Sequence, residues 1–348
     1  MAMTIVETRP VTGGVDTHLD VHVAAALDDI GGLLGVEEFA ADSAGYRQLL
    51  DWLGSFGPVA LVGVEGTGSY GAGLARHLRR AGVRVVEVDR PNRQDRHRRG
   101  KSDPVDAVSA ARAALSGSAT GAGKTRDGAV EAIRVLCVAK RSAREERIKT
   151  RNQLRQLAFC APDELRERCK DLSRVQLVAE AVSWRPRPDG TDPVLYSTKF
   201  AMRELARRIE ALDAESERID ELLEPLVLAT APSLVEVYGV GIDTAAILLV
   251  AAGDNPHRLR DEAAWSHLCG VAPIEASSGK VTRYRLNRGG DRQANHALYR
   301  IVITRMAGDP RTRRYVERRT IEGRSKAEII RVLKRYVARE IFKHLPRR

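Results

Sequence analysis

The stretch PVALVGVE, Pro58 to Glu65, is apolar at nearly every position and closes on a carboxylate. A strand that is apolar on both faces must be covered on both, which is the condition of an inner strand in a sheet flanked by helices. Upstream, VTGGVD, VHVAAALDD and LLGVEEFA follow one another across short turns, the pattern of hairpin strands. Downstream, SYGAGLARHLRRAG reads as a helix ending at Gly82, and VRVVEVD as the next strand. Hairpin strands followed by β-α-β-α predict an α/β domain on a mixed sheet.

The 348 residues suffice for two or three domains, and 43% hydrophobic with 30% charged residues is a globular composition. The longest apolar run, around Ala245 to Ala252, is too short to cross a bilayer, and MAMTIVETRP lacks the apolar core of a secretion signal. Cys137, Cys160, Cys169 and Cys269 form no CxxC pair, so reduced thiols in the cytoplasm are expected. The net charge is +11, but it is unevenly placed: Gly279 to Arg348 holds 21 Lys and Arg against 6 Asp and Glu, and the remainder is slightly acidic. A basic C-terminal module points to a polyanionic partner, nucleic acid above all.

SGSATGAGKT, Ser116 to Thr125, nearly spells a phosphate-binding loop. The glycine spacing is wrong by one and a helix precedes it where a strand is required, so it reads as a linker. From about Asp127 to Ala231 the pattern is helical and charged. Leu205, Ile209, Leu212, Ile219, Leu222 and Leu223 fit a coiled coil or a long helical hairpin, broken into two arms by WRPRPDGTDP. PSLVEVYGVGIDTAAILLVAAGD reads as helix, Gly-Val-Gly turn, helix, which is either a helix-hairpin-helix gripping a phosphate or an ordinary αα-turn.

In KSDPVDAVSAARAAL, Asp103 suits a helix cap, Pro104 the first helical position and Asp106 a capping box. Two distant acids add a second role. Asp16 lies inside an apolar strand, where an unpaired carboxylate is costly, and Glu65 ends another. Four carboxylates meeting at one sheet edge repel unless cations neutralise them, and hard oxygen donors suit Mg²⁺. Two such ions about 4 Å apart can clamp the attacking and leaving oxygens of a phosphodiester.

The order Asp16, Glu65, Asp103, Asp106 resembles the DEDD set of RuvC-like nuclease domains with an RNase H-like fold. GVDTHLDVHVAAALDDIGGLLG, VGVEGTGSYGAGLARHLRRAGVRVVEV and RQDRHRRGKSDPVDAVSAARA are similar to the one-ten family of bacterial insertion-sequence transposases. LCGVAPIEASSGKVTRYRLNRGGDRQANHALYRIVITRM and RTRRYVERRTIEGRSKAEIIRVLKRYVAREI resemble that family's C-terminal transposase domain. Leu19 departs from the pattern, where the family often has lysine. The resemblance implies an RNase H-like (RuvC-like) α/β domain over residues 1–125, an α-helical coiled-coil spacer over 126–231, and a mostly α-helical transposase domain with a helix-hairpin-helix-like segment over 232–348. It implies Asp16, Glu65, Asp103 and Asp106 as catalytic Mg²⁺ ligands.

APIEASSGK, Ala272 to Lys280, is by itself a polar turn. The resemblance makes Ser278 the nucleophile that forms a phosphoserine link, with Ser277 its neighbour. Lys280, Arg283, Arg285 and Arg288 lie near enough in sequence to supply charge to a phosphate. NRGGDRQANHALYR sets two glycines before a helix start, a second candidate phosphate seat that includes Arg292. The basic strip Arg90 to Lys101, with Arg96, Arg98, Arg99 and Lys101, reads as nucleic-acid backbone contact. The implied partners are donor and target DNA, a bridge RNA encoded by the element, and further copies of the chain as dimer or tetramer, in the bacterial cytoplasm at the nucleoid. Two other readings stand beside this one: a metal-dependent, junction-resolving endonuclease in which Ser278 is structural, and a non-catalytic nucleic-acid-binding protein.

Overall fold

The computed structural model describes residues 9–88, 102–119, 121, 123–188, 192–255 and 258–346. The chain divides into two compact units, one of residues 1–128 with 252–261 and the last two residues, the other of residues 129–251 with 262–346.

The first unit opens with β1 (Val11–Thr17), β2 (Val21–Leu27) and β3 (Leu33–Ala40), an antiparallel meander. α1 (Ser43–Phe56) leads to β4 (Val59–Glu65), and α2 (Ala72–Arg80) to β5 (Arg84–Val88), both strands parallel to β1. The order β3-β2-β1-β4-β5 puts β1 in the middle of a mixed sheet, as the apolar patterns require. α1 occupies a stretch to which the sequence reading assigned nothing. Asp42 caps it, accepting from Ala44 N and Gly45 N at 2.9 and 2.8 Å, and Leu49 and Leu53 one turn apart are fully buried.

One face of the sheet packs Val11, Val15, Val62 and Val64 against Leu49, Leu53, Leu74 and Leu78 of α1 and α2. The other face carries α3 (Asp103–Leu115), lying on Val23, Ala25 and two glycines. A Cβ at Gly14 would stand 2.0 Å from Ala111 N, and one at its strand neighbour Gly63 would stand 2.7 Å from the Ala110 carbonyl. With Ala107, Ala110, Ala111 and Ala114 facing the sheet, α3 sits at backbone contact distance.

The second unit is helical apart from one hairpin, among the described residues. α4 (Ala129–Phe159) and α7 (Pro193–Thr230) run along each other, α7 being about 57 Å long at 1.5 Å per residue. They are tied by ion pairs: Lys140 to Asp220, Arg147 to Asp213, and Arg151 to Asp213 at 3.0 Å. The two arms are therefore a long helical hairpin. Trp184 to Pro193 is not its single bend, because α5 (Asp163–Cys169) and α6 (Arg174–Ser183) intervene and fill one end with Leu165 and Leu177 against Leu154, Met202 and Ile209. Of the expected apolar stripe, Ile209, Ile219 and Leu223 are buried and Leu222 faces solvent. After α8 (Pro232–Val235) and the turn at Gly239 come α9 (Ile242–Ala252) and α10 (Glu262–Leu268). A hairpin of β6 (Ile274–Glu275) and β7 (Tyr284–Arg285) follows, then α11 (Arg292–Gly308), α12 (Pro310–Ile321) and α13 (Lys326–His344). No helix among the described residues is long and apolar enough to cross a membrane.

The seam predicts a contrast between two glycine substitutions. Gly14→Ala forces α3 off the sheet and should cost at least about 1–3 kcal/mol in denaturant unfolding. Gly54→Ala lies in α1 with nothing within 4 Å of the new Cβ, and should stabilise by about 0.4–1 kcal/mol.

Candidate functional site

The seam fixes where the acids go. Gly14 and Gly63 face α3 from neighbouring parallel strands, and side chains two residues on share that face. Those residues are Asp16 and Glu65. α3 begins above them, with Asp103 at its first position and Asp106 one turn in. All four predicted acids thus belong to one end of one sheet face.

The capping expectation is corrected by the structure. Ser102 holds the N-cap position of α3, so Asp103 stands at N1, Pro104 at N2 and Asp106 at N4, outside a capping box. The helix begins one residue earlier than the Asp-Pro pair suggested. The acids in this first turn gain from the positive end of the helix dipole, which lowers the cost of crowding them.

Asp16, His18 and Asp103 form a donor group, each offering an atom within 4.8 Å of the others, and the predicted ligands Glu65 and Asp106 stand outside it. His18 Nε2 lies 3.2 Å from Asp16 Oδ2 and 3.5 Å from Asp103 Oδ1. The sequence reading did not single out His18, although it follows Asp16 by two residues and therefore leaves the strand on the same side. Asp16 and Asp106 are both nearly buried, at 6% and 5% exposure. Burial pushes the Asp16 carboxyl above its ordinary range; His18 pulls it back, and the negative charges of Asp106 and Asp103 push it up again. Glu65 is half-buried on the adjacent strand, and its carbonyl accepts the Thr17 hydroxyl at 2.9 Å. A nearly buried carboxylate whose proton affinity is raised by burial and by two neighbouring acids, with an imidazole nitrogen between it and Asp103, belongs to a donor set that fits a divalent cation.

Ser278 sits elsewhere in the chain, at the tip of the β6–β7 hairpin. Ser278 and Val281 exchange both backbone hydrogen bonds, at 3.1 Å each, around Gly279 and Lys280. Gly279 has φ +55°, the left-handed value that a tight hairpin turn asks of its first central residue. Ser277 and Ser278 are both exposed, and Ser277 has a structural task, its Oγ accepting Arg283 N at 3.2 Å. Lys280, Arg283, Arg285, Arg288 and Arg292 are all exposed on or near this hairpin.

The second expected phosphate seat is also corrected. Asp291 caps α11, accepting from Gln293 N and Ala294 N at 2.8 and 3.0 Å, so a carboxylate fills the position a phosphate would take. The glycines before it serve packing: a Cβ at Gly290 would meet Gly270 N at 2.3 Å. Arg96, Arg98, Arg99 and Lys101 lie outside the described residues.

A family model described as "Transposase" matches residues 13–158, from β1 across all four acids into α4. A second, "Transposase IS116/IS110/IS902 family", matches residues 231–317, which include the Ser278 hairpin. The chain belongs to the IS110 family of transposases. It is 33% identical over 139 residues to the "Insertion element IS110 uncharacterized 43.6 kDa protein" of Streptomyces coelicolor, an overlap of 40% of this chain and 32% of that one. It is 25% identical over 134 residues to the "Insertion element IS900 uncharacterized 42 kDa protein" of Mycobacterium paratuberculosis, covering 38% and 34% of the two chains. The chain thus spans about a third of the length of the curated relatives it matches.

The crowded carboxylates predict opposite effects with and without an ion. In EDTA at neutral pH, Asp16→Asn should raise the first unit's melting temperature by roughly 2–4 °C, the shift expected for about 1 kcal/mol. It should also abolish the rise that Mg²⁺ or Mn²⁺ gives the unsubstituted protein, as followed by calorimetry. An ion-induced rise that survives the substitution would put the cation somewhere else.

Proposed function

We propose that the chain is a DNA transposase that cuts and rejoins strands at the ends of its own insertion sequence through a serine–phosphate ester. The observation that carries this reading is the gathering of Asp16, His18 and Asp103, with Glu65 and Asp106 on the same side of the sheet, in a chain with one transposase match over residues 13–158 and another over 231–317. Asp16, Glu65, Asp103 and Asp106 are the residues that hold a divalent cation, Mg²⁺ by their oxygen-rich donors, with His18 beside them. Such an ion supplies charge neutralisation for the phosphate and for the leaving oxygen.

Ser278 Oγ attacks the scissile phosphorus. A P–O bond to Ser278 forms, the P–O bond to the leaving strand breaks, and the serine proton ends on the departing hydroxyl or in solvent. Attack on the phosphoserine by a hydroxyl of the partner strand reverses these steps and rejoins DNA without an external energy source. Lys280 and Arg283, within five residues of the nucleophile, stabilise the non-bridging oxygens. Arg285, Arg288, Arg292 and the segment Arg96 to Lys101 hold the nucleic-acid backbone. The Gly239–Gly241 turn before α9 serves as a helix-hairpin-helix contact to phosphate. Donor and target DNA are matched through a bridge RNA. The α4–α7 arms join copies of the chain into the dimer or tetramer that combines serine and acids on one substrate, in the cytoplasm at the nucleoid.

The test uses end-labelled element-terminus DNA with purified protein and divalent ion, resolved on denaturing gels. A protein–DNA adduct should form, should fall by about 10³-fold or more in Ser278→Ala, and should persist in Ser277→Ala. If Ser278→Ala still cuts with the ion present, the serine mechanism is wrong and the chain is a metal-only nuclease.

A further inference from the structure

The second unit contains a cleft of about 860 Å³ between the β6–β7 hairpin with its flanking loop and α13. Its floor is apolar, built from the buried or half-buried Ala272, Ile329 and Val332. Two tyrosines line it with their rings in solvent: Tyr284 on the hairpin is 64% exposed and Tyr336 on α13 is 50% exposed. Tyr336 is braced by an edge-to-face contact with Tyr315 at 6.1 Å, so its position is fixed although its ring is open.

The rim is cationic, and its cations fall into two sets. Arg319, Arg324 and Arg335 are held by Glu322, Glu328 and Glu262. Arg285, Arg288, Arg331 and Lys334 pair with no carboxylate among the described residues, and Lys334 Nζ hydrogen-bonds the neutral amide oxygen of Asn295 at 2.8 Å. Burial and the neighbouring Arg331 push the Lys334 ammonium below its usual range. Such unneutralised positive charge at the mouth of a cleft calls for an anion.

We infer that this cleft binds unpaired nucleotides, with bases stacked on Tyr284 and Tyr336 and phosphates on Arg285, Arg288, Arg331 and Lys334. A duplex offers phosphates and groove edges, for which an apolar floor with open aromatic rings has no use. A single strand offers a flat apolar ring beside every phosphate, which matches the lining. The volume lies in the range of sites that enclose one organic ligand, so it takes a base or two and no helix. The cleft is lined by Tyr284 and Arg285 of the hairpin whose tip is Ser278. The inference rests on the chain's acting on nucleic acid.

The test measures fluorescence anisotropy with the full chain and a labelled single strand, as DNA and as RNA, against a duplex of the same sequence. Tyr284→Ala and Tyr336→Ala should each weaken single-strand binding roughly tenfold while leaving duplex binding within about twofold, and Tyr336→Phe should bind as the unsubstituted protein does. Photocrosslinking from iodouracil in the strand should map to Tyr284 or Tyr336, a readout that does not depend on how well an alanine variant folds. The DNA and RNA arms decide which strand the cleft takes. Equal losses on single strand and duplex, or crosslinks confined to other segments, would overturn the inference. Failure of the unsubstituted protein to bind any nucleic acid would instead remove the functional reading beneath it.

Discussion

A helix of alanines resting on two glycines is the contact on which the first unit depends. Gly14 and Gly63 are partners on neighbouring parallel strands, and α3 crosses them so closely that a methyl group on either would collide with its backbone. Ordinary helix–sheet packing leaves room for side chains to interdigitate; here the backbones themselves meet. The consequence is chemical. Carboxylates on short side chains reach one another across a sheet–helix boundary only if the two backbones are this near. Asp16 is tied through His18 to Asp103 because the seam holds α3 down one turn away.

That arrangement stores electrostatic cost. Asp16 is nearly buried, and two further acids on α3 raise its proton affinity. The N-terminal dipole of α3 offsets part of the repulsion, and the packed seam prevents the strands and helix from relaxing apart. The proposed nucleophile is mounted in the opposite way. Ser278 stands on a two-residue turn held by one pair of backbone hydrogen bonds, with exposed residues on both sides. A rigid, pre-charged acidic group suits a cation that must find fixed ligands, whereas a hairpin tip with few buried contacts can adjust to a phosphate brought to it.

The sheet was legible because β1 and β4 are inner strands and their composition says so at every residue. Asp16 and Glu65 share a sheet face because each stands two residues beyond one of the paired glycines Gly14 and Gly63. What escaped the reading depended on short-range geometry. α1 carries only a short signal, the Asp42 cap and the Leu49–Leu53 spacing, between two strands of much stronger pattern. The Asp103 cap failed by one residue: Ser102 and Asp103 are both good caps, and only tertiary placement selects between them. The seat before α11 is taken, and the glycine pair alone does not show that the Asp291 carboxylate supplies the anion itself. His18 was passed over because a lone histidine carries no signal until the fold brings Asp103 to its other side.

Charge in the second unit divides by the same logic. Composition announces a basic C-terminal segment but does not say which cations are already spent. Lys140, Arg147 and Arg151 are consumed in tying α4 to neighbouring acids, and Arg335 in fastening α13 to Glu262 on α10. These cations shape the protein and have little left to offer a ligand, because a second anion would have to displace the first. Arg331 and Lys334 lie on the same helix as Arg335, yet they open onto the cleft and meet a neutral amide or one another's repulsion. The difference lies in partners and not in helix face: Arg335 lines the same cleft but is held by Glu262 on α10, whereas Arg331 and Lys334 have no carboxylate beside them among the described residues. At this cleft unneutralised charge stands beside an apolar floor and two open rings, and it is the conjunction of these three features that sets the proposed nucleotide site apart from a merely basic surface.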